Sequence, residues 1–349
     1  VVDSLSKSFE NETVLRDINF TVADGDLCVI VGPSGCGKST LLQCLAGLVE
    51  YDRGHIKLDG RSDEALTVAE RDLGYVFQEF EDALFPHMTV AENIAFGLRQ
   101  LDADYDEEVL DTKIDEMLDL LSIPETKHNA PDELSGGQQQ RVELARQLVR
   151  DCDIMLLDDP LADLDYKLQK RMELEIRSIH ADLGSTFLYV THNQDQALKL
   201  ADKLVVMNNG MVEQVGTPTE VYQSPETAFV GRFVGDSNAF EGTVTATEGD
   251  TVLLDTPLGE IQATTAPGAV STGDTSLFQF RPNAVRRANE EDVDNSFTAQ
   301  LIDQTYTGEE TELMFRHNDS EAVVQAVTPH RSSLEVDDEV KIGWDSSDT

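Results

Sequence analysis

A glycine-rich octapeptide, Gly32-Pro33-Ser34-Gly35-Cys36-Gly37-Lys38-Ser39, stands between the apolar run Leu27-Cys28-Val29-Ile30-Val31 and a helix-patterned stretch from Thr40 to Leu48. It leaves the chain few folds to choose from. The pattern G-x-x-x-x-G-K-[ST] acts only when a strand precedes it and a helix follows it. Its glycines then let successive N–H groups curl around phosphates, and the positive end of the helix adds to the field. In that geometry Lys38 is expected to reach the β- and γ-phosphates, and the Ser39 hydroxyl to ligate Mg²⁺.

The rest of the chain is organised around that loop. Ile154-Met155-Leu156-Leu157 and Thr186-Phe187-Leu188-Tyr189-Val190 are further short apolar runs, each followed by a polar loop and a helix-like segment. Unbroken apolar strands alternating with helices predict an α/β fold with a parallel sheet buried on both faces. Residues 83–134 have no such strand, and the spacing of Val109, Ile114, Met117, Leu118 and Leu121 predicts an inserted helical region there. After Gly235 the texture changes to Gly, Thr and Asp turns between short alternating runs, so 236–349 is expected to be a separate small all-β, barrel-like domain.

Charge restricts the partners. Against 67 Asp+Glu stand 26 Lys+Arg, so the formal charge is 26 − 67 = −41. A face that neutralises nucleic-acid phosphates or anionic lipid needs clustered Lys and Arg, and none is visible. The charge is spread evenly, with 44 acids and 20 bases in residues 1–235 and 23 and 6 in 236–349. Of the 26 bases, 10 are Lys and 16 Arg. We read this as adaptation to molar salt, where the Debye length falls to about 3 Å.

Cys28, Cys36, Cys44 and Cys152 show no CxxC pairing and are expected to be free thiols. No apolar run approaches the roughly 20 residues that span a bilayer. No signal peptide is expected either, because the chain opens on a strand-like run.

Four more elements complete the pattern. Leu134-Ser135-Gly136-Gly137-Gln138-Gln139-Gln140-Arg141 begins 96 residues after Lys38, directly before a helix-like run. A Ser hydroxyl and consecutive Gly N–H groups at a helix start form a second anion site. The run ending in Asp158-Asp159-Pro160 delivers two carboxylates to the end of a strand. It is followed by Leu161-Ala162-Asp163-Leu164-Asp165, and Val190-Thr191-His192 ends another strand.

Together these residues resemble the ATP-binding cassette (ABC) ATPases over nearly the whole chain, with Walker A at 32–40, the signature at 134–138, Walker B at 154–158, the D-loop at 162–165 and the switch histidine at His192. The resemblance implies a P-loop NTPase cassette over 1–235, with a parallel-sheet core, an antiparallel β region and the helical subdomain at about 83–134. A TOBE-like, OB-type β-barrel regulatory domain would follow over 236–349. It also implies ATP held by Gly32, Pro33, Ser34, Gly35, Cys36, Gly37, Lys38, Ser39 and Thr40, with Phe9 stacking on adenine. Mg²⁺ would lie on Ser39, Gln78 and, through water, Asp158. Asp159, His192 and Gln78 would be catalytic, and Ser135, Gly136, Gly137 and Gln138 would close on the nucleotide of a second cassette in a head-to-tail homodimer or heterodimer.

The stretch Leu84-Phe85-Pro86-His87-Met88-Thr89-Val90 and the pair Arg281-Pro282 are similar to importer cassettes with a C-terminal domain. Phe229 to Phe240 looks most like polyamine (spermidine/putrescine) importers. Ferric iron, inorganic anion, sugar and thiamine importers are the alternatives. Such systems imply two integral-membrane permease subunits, an extracytoplasmic solute-binding protein and a peripheral position on the cytoplasmic face of the cell membrane, with no nucleic acid. A soluble cassette ATPase uncoupled from transport is the rival from another class. One residue departs from the family: Asp159 stands where Glu usually polarises the attacking water. Its carboxylate is one methylene short, so either the backbone closes in or turnover is slow. Five residues, in place of the usual three, separate Gln78 from Leu84, and Asp163 replaces a small D-loop residue.

Overall fold

The computed structural model describes residues 1–10, 12–63, 66–77, 84–99, 106–150, 152–162, 165–266, 268–288, 293–329 and 331–349. It divides into two compact units, Val1–Ser224 and Pro225–Thr349.

In the first unit, β1 (Val2–Phe9), β2 (Glu12–Phe20), β4 (Arg53–Leu58) and β5 (Arg61–Ser62) form an antiparallel sheet in the order β2-β1-β4-β5. The central sheet uses β3 (Leu27–Val31), β6 (Leu73–Val76), β7 (Ile154–Asp158), β8 (Thr186–Thr191), β9 (Lys203–Asn208) and β10 (Met211–Gly216). Its order is β10-β9-β3-β8-β7-β6, parallel except at the β10/β9 edge. Every residue of β3 and β8 is buried, as unbroken apolar strands covered on both faces require. Helix α1 (Lys38–Ala46) puts Leu41, Leu42 and Leu45 into one apolar cluster with Leu5, Leu15, Ile18 and Ile56 of the antiparallel sheet and Ile30, Leu156 and Leu188 of the parallel one.

The inserted stretch carries α2 (Val90–Arg99) and α3 (Glu107–Leu120), then single 3-10 turns at Pro124–Thr126 and Pro131–Glu133 that lead into α4 (Gly136–Leu148). The buried stripe of α3 is Leu110, Ile114 and Leu118 at i, i+4, i+8, continued by Leu121. Val109, expected on that stripe, is 47% exposed because Leu110 takes its place. The unit closes with α5 (Tyr166–Leu183), α6 (Gln194–Leu200) and α7 (Pro218–Gln223). No helix among the described residues is long and apolar enough to cross a membrane. All four cysteines are free and buried, and burial pushes the Cys28 thiol up to about 12 and that of Cys44 to about 11.

The second unit begins with α8 (Ala228–Phe233), which composition placed in the first. One guanidinium explains the difference. Arg281 Nη1 donates to the carbonyls of Gly231 (2.7 Å), Gly235 (3.0 Å) and Asp236 (3.1 Å), so the segment is tied to the β domain. That domain holds β11 (Asn238–Glu248), β12 (Thr251–Thr256), β13 (Gly259–Thr264), β14 (Thr275–Phe280), β15 (Arg286–Arg287), β16 (Asn295–Tyr306), β17 (Thr311–His317), β18 (Val323–Thr328) and β19 (Glu339–Trp344). They make two antiparallel sheets, β13-β12-β11-β14 and β15-β19-β16-β17-β18. Between the sheets Phe280 stacks on Trp344 at 3.9 Å. Two side-chain amides stand in for missing ladder bonds: Asn295 pairs with the Gln262 backbone, and Asn238 with that of Gln325.

Candidate nucleotide-binding site

Parallel register brings the C-terminal ends of β3, β6, β7 and β8 to one edge of the central sheet: Val31 pairs with Thr191, Asp158 with Val190, and Val76 with Leu157. Ligands of open α/β sheets bind outside such an edge. The loop 32–37 leaves β3 here and enters α1 through Gly37, whose φ of 103° suits glycine. A side chain at Gly37 would also strike Leu15 Cδ2 (2.8 Å) and the Val14 carbonyl (2.9 Å). At Gly32 a Cβ would run into the Met207 carbonyl and, at 2.7 Å, into Cys36 Sγ. The loop is thus pinned against β2 and β9 at both ends.

Helix α1 starts without a side-chain cap and without an acid in its first turn. The first-turn N–H groups of Lys38, Ser39 and Thr40 have no helical carbonyl ahead of them, which leaves them for an anion. Lys38 is 9% exposed, and its ammonium donates to the carbonyls of Gly32 (2.8 Å) and Pro33 (2.9 Å), at the mouth of the loop.

Behind it, Ser39 Oγ donates to Asp158 Oδ1 at 2.9 Å and Tyr75 Oη to Asp158 Oδ2 at 3.3 Å. Burial, and less strongly the neighbouring Asp159 charge, hold the Asp158 carboxyl above its usual range, and burial beside Asp158 pushes the Tyr75 hydroxyl far up. A buried carboxylate beside a hydroxyl is a hard-oxygen pair of the kind that suits a divalent cation, whose charge would favour the ionised carboxylate. No group of three or more His, Cys, Asp or Glu side chains among the described residues could hold a metal by itself. The Ser39 hydroxyl and the Asp158 carboxylate have the chemistry to hold Mg²⁺ together with phosphate oxygens.

Asp159 follows at φ 47°, a left-handed conformation that Asp tolerates better than most residues. Its N–H donates to the Val190 carbonyl (2.9 Å), which turns its side chain toward the end of β8. There Oδ2 meets His192 Nδ1 at 2.5 Å, and Oδ1 faces the fully buried Thr191 hydroxyl at 3.2 Å. The Thr191 hydroxyl also lies 3.0 Å from Gln196 Oε1 and has one proton to share between the two acceptors. With Nδ1 engaged, Nε2 has no hydrogen-bond partner among the described residues, and the ring is 58% exposed.

The second loop is built differently. Ser135 caps α4 with its own side chain: Gln138 N donates to Ser135 Oγ (3.4 Å), while Gln138 Oε1 accepts from Ser135 N (3.0 Å). Ser135 and Gly136 are exposed, and among the described residues no hydrogen bond or ion pair joins 135–138 to the 32–40 loop. Its helix is tethered toward the first site by Gln140, whose Nε2 donates to the Pro160 carbonyl at 2.6 Å.

Phe9 ends β1 opposite Glu12, two residues before the Val14 carbonyl that packs on Gly37. Its ring is 45% exposed, with Lys7 Nζ 4.9 Å from the centroid. Gln78 and Asp163 lie outside the described residues; Asp165 caps α5. Reading the sequence missed Tyr75 and Gln196. The available signal was a phenol inside an apolar strand, which needs a buried partner for its hydroxyl.

A family model described as "ABC transporter" matches residues 15–162 and one described as "TOBE domain" matches 280–349. The chain is 37% identical over 325 residues to the spermidine/putrescine import ATP-binding protein PotA of Haemophilus influenzae, covering 92% of this chain and 86% of that one. The PotA of Protochlamydia amoebophila is 37% identical over 349 residues, 99% and 91% of the two chains. Among solved structures, a dimeric ATP-binding cassette in a post-hydrolysis state with ADP and Pi superposes with a TM-score of 0.57 at 27% identity, over 62% of this chain and 97% of that one. A strand-borne phosphate loop, paired carboxylates on the next strand but one and a histidine on the strand between, in a chain so close to these relatives, place it in the ABC transporter family, as an ATP-binding and ATP-hydrolysing cassette.

Proposed function

We propose that this chain is the energy-coupling ATPase of an importer, and that its cargo is a polyamine. The observation that carries this reading is the 37% identity to spermidine/putrescine import ATP-binding proteins across 92% to 99% of the chain. Two copies, or one copy and a second cassette, pair head to tail around two ATP. Each nucleotide lies between the 32–40 loop of one subunit and Ser135, Gly136, Gly137 and Gln138 of the other. Closure is favoured because the γ-phosphate is contacted by the partner only in the closed state. The dimer works at the cytoplasmic face of the membrane with two permease subunits, fed by an extracytoplasmic solute-binding protein.

Within each site Lys38 and the first turn of α1 hold the phosphates, and Phe9 stacks on the adenine. Ser39 and Asp158, with Gln78, hold Mg²⁺, which neutralises phosphate charge when bound. Asp159 orients the attacking water and accepts its proton, and His192, braced through Nδ1, presents Nε2 to the γ-phosphate. The short Asp side chain sustains hydrolysis in this reading. ATPase rates of wild type, Asp159→Glu and Asp159→Asn test it. Loss of a positioned base should slow the Asn variant by about 10²- to 10⁴-fold; an Asn variant as fast as wild type would remove Asp159 from the chemistry. Copurification with two integral-membrane proteins is the expected outcome for the coupling role, and copurification with ribosomes would overturn it.

A further inference from the structure

The second unit holds a cavity that the nucleotide chemistry does not use. In the sheet β15-β19-β16-β17-β18 the two edge strands are β15 and β18, and between them opens a cavity of about 410 Å³. That volume is in the range of small-molecule sites, which favour the mouths of curled β-sheets. Leu313, Phe315 and Ile342 give it an apolar floor, and Arg286, Arg287 and Arg331 line it as well. The charge is what sets it apart. Residues 236–349 contain 23 acids and only 6 bases, yet three of the six bases line this one cavity and, among the described residues, none of the 15 that line it is acidic. At the domain's average share of acids, 23 in 114 residues, about three would be expected among 15.

Two of the three arginines are available to a ligand. Arg286 is paired with Asp345 at 2.6 Å. Arg287 is exposed, Arg331 stands 5.9 Å from the Tyr306 ring centroid, and neither has a carboxylate partner among the described residues. A guanidinium fork matches a carboxylate or phosphate with two parallel hydrogen bonds, and an aromatic neighbour limits its motion. We propose that this cavity binds a small amphipathic anion, with its carboxylate or phosphate monoester on Arg287 and Arg331 and its apolar body on Leu313, Phe315 and Ile342.

The test is equilibrium binding to the full chain, with saturating ADP and Mg²⁺ present to block the phosphate loop. The probes are octanoate, phenyl phosphate and the neutral octanol. Octanoate, phenyl phosphate or both should bind at least tenfold more tightly than octanol, and which of them binds assigns the head group as carboxylate or phosphate. Arg287→Ala and Arg331→Ala should each weaken binding by about tenfold, as loss of a charged hydrogen-bonding partner does, and the lysine variants by less. Thermal melts matching wild type would show that these variants fold. Binding undiminished in the double alanine variant, octanol bound as tightly as the better-bound of the two anions, or neither anion bound at millimolar concentration would overturn the proposal.

Discussion

Two glycine-rich loops in this chain start helices in ways that differ in one respect. The loop at 32–37 enters α1 with no cap side chain, pinned against β2 and β9, with its lysine resting on its own carbonyls. The loop at 135–138 enters α4 with a complete reciprocal cap and stays exposed. An uncapped, immobilised helix start has donors with nowhere to go except to a ligand. A self-capped one has already used the Ser135 and Gln138 N–H groups on its own side chains, and only those of Gly136 and Gly137 remain for a ligand. The first is thus a site within one chain. The second is an exposed surface that makes no hydrogen bond to the first among the described residues, which suits the head-to-tail pairing proposed above.

Removing the charge at the first loop should have the largest effect. Lys38→Ala is expected to lower ATP hydrolysis about a thousandfold, the scale for removing a positioned electrostatic partner of developing phosphate charge, and to weaken ATP binding to the isolated subunit. A change below tenfold in both would mean that the loop is not the phosphate site.

At the second loop the two readouts should separate. Ser135→Ala removes the cap, a loss of about 1 kcal/mol from α4, and should slow hydrolysis by about 10²-fold. ATP affinity of the isolated subunit should stay at the wild-type value, because among the described residues Ser135 makes no hydrogen bond to the 32–40 loop. Equal losses in affinity and rate would break the distinction between the loops.

Why the two loops were legible from sequence, while other features were not, follows from how local each is. Gly32 to Ser39 and Ser135 to Gln138 carry their geometry in consecutive residues, so spacing alone reveals them. The parallel order of β3, β7 and β8 is equally written in unbroken apolar runs. The bracing of Asp159 is not, because Thr191 and His192 reach it only after β7 and β8 pair in register. The place of α8 depends on Arg281, some fifty residues downstream. The second unit's cavity joins β15 to β17, β18 and β19, and no local pattern announces it.

Salt should separate the loops again. Each chain carries −41, so pairing two of them opposes like charges over a wide surface, whereas a nucleotide entering the 32–40 loop meets a local set of N–H groups and Lys38. Between about 0.1 M and 1 M salt the Debye length falls from roughly 10 Å to 3 Å. ATP-driven dimerisation should therefore strengthen steeply with KCl while ATP affinity of the monomer changes little. The melting temperature should rise over the same range. A flat response of both dimerisation and melting would remove the reading of the acidic surface as adaptation to molar salt.

The smallest effect expected concerns how the second loop is moored. Glu143 lies two turns behind Ser135 on α4 and is 1% exposed, and neither of its oxygens has a hydrogen bond of good geometry among the described residues. Burial pushes its carboxyl up to about 7, and the nearby Arg146 charge and Phe77 N–H offset only part of that. Unfolded, the group titrates near 4.5, so between those values the folded chain holds the extra proton and stability falls as pH rises. The favourable contribution is complete below about pH 4.5 and is lost as pH passes about 7. Glu143→Gln keeps the shape and removes the ionisation. It should stabilise the chain by about 1–3 kcal/mol at pH 8, a rise of several degrees in melting temperature that shrinks to nothing near pH 4.5. Destabilisation at every pH would mean that attraction to Arg146 outweighs the burial of charge, and that the exposed loop is anchored by an ion pair and not by a neutral carboxyl.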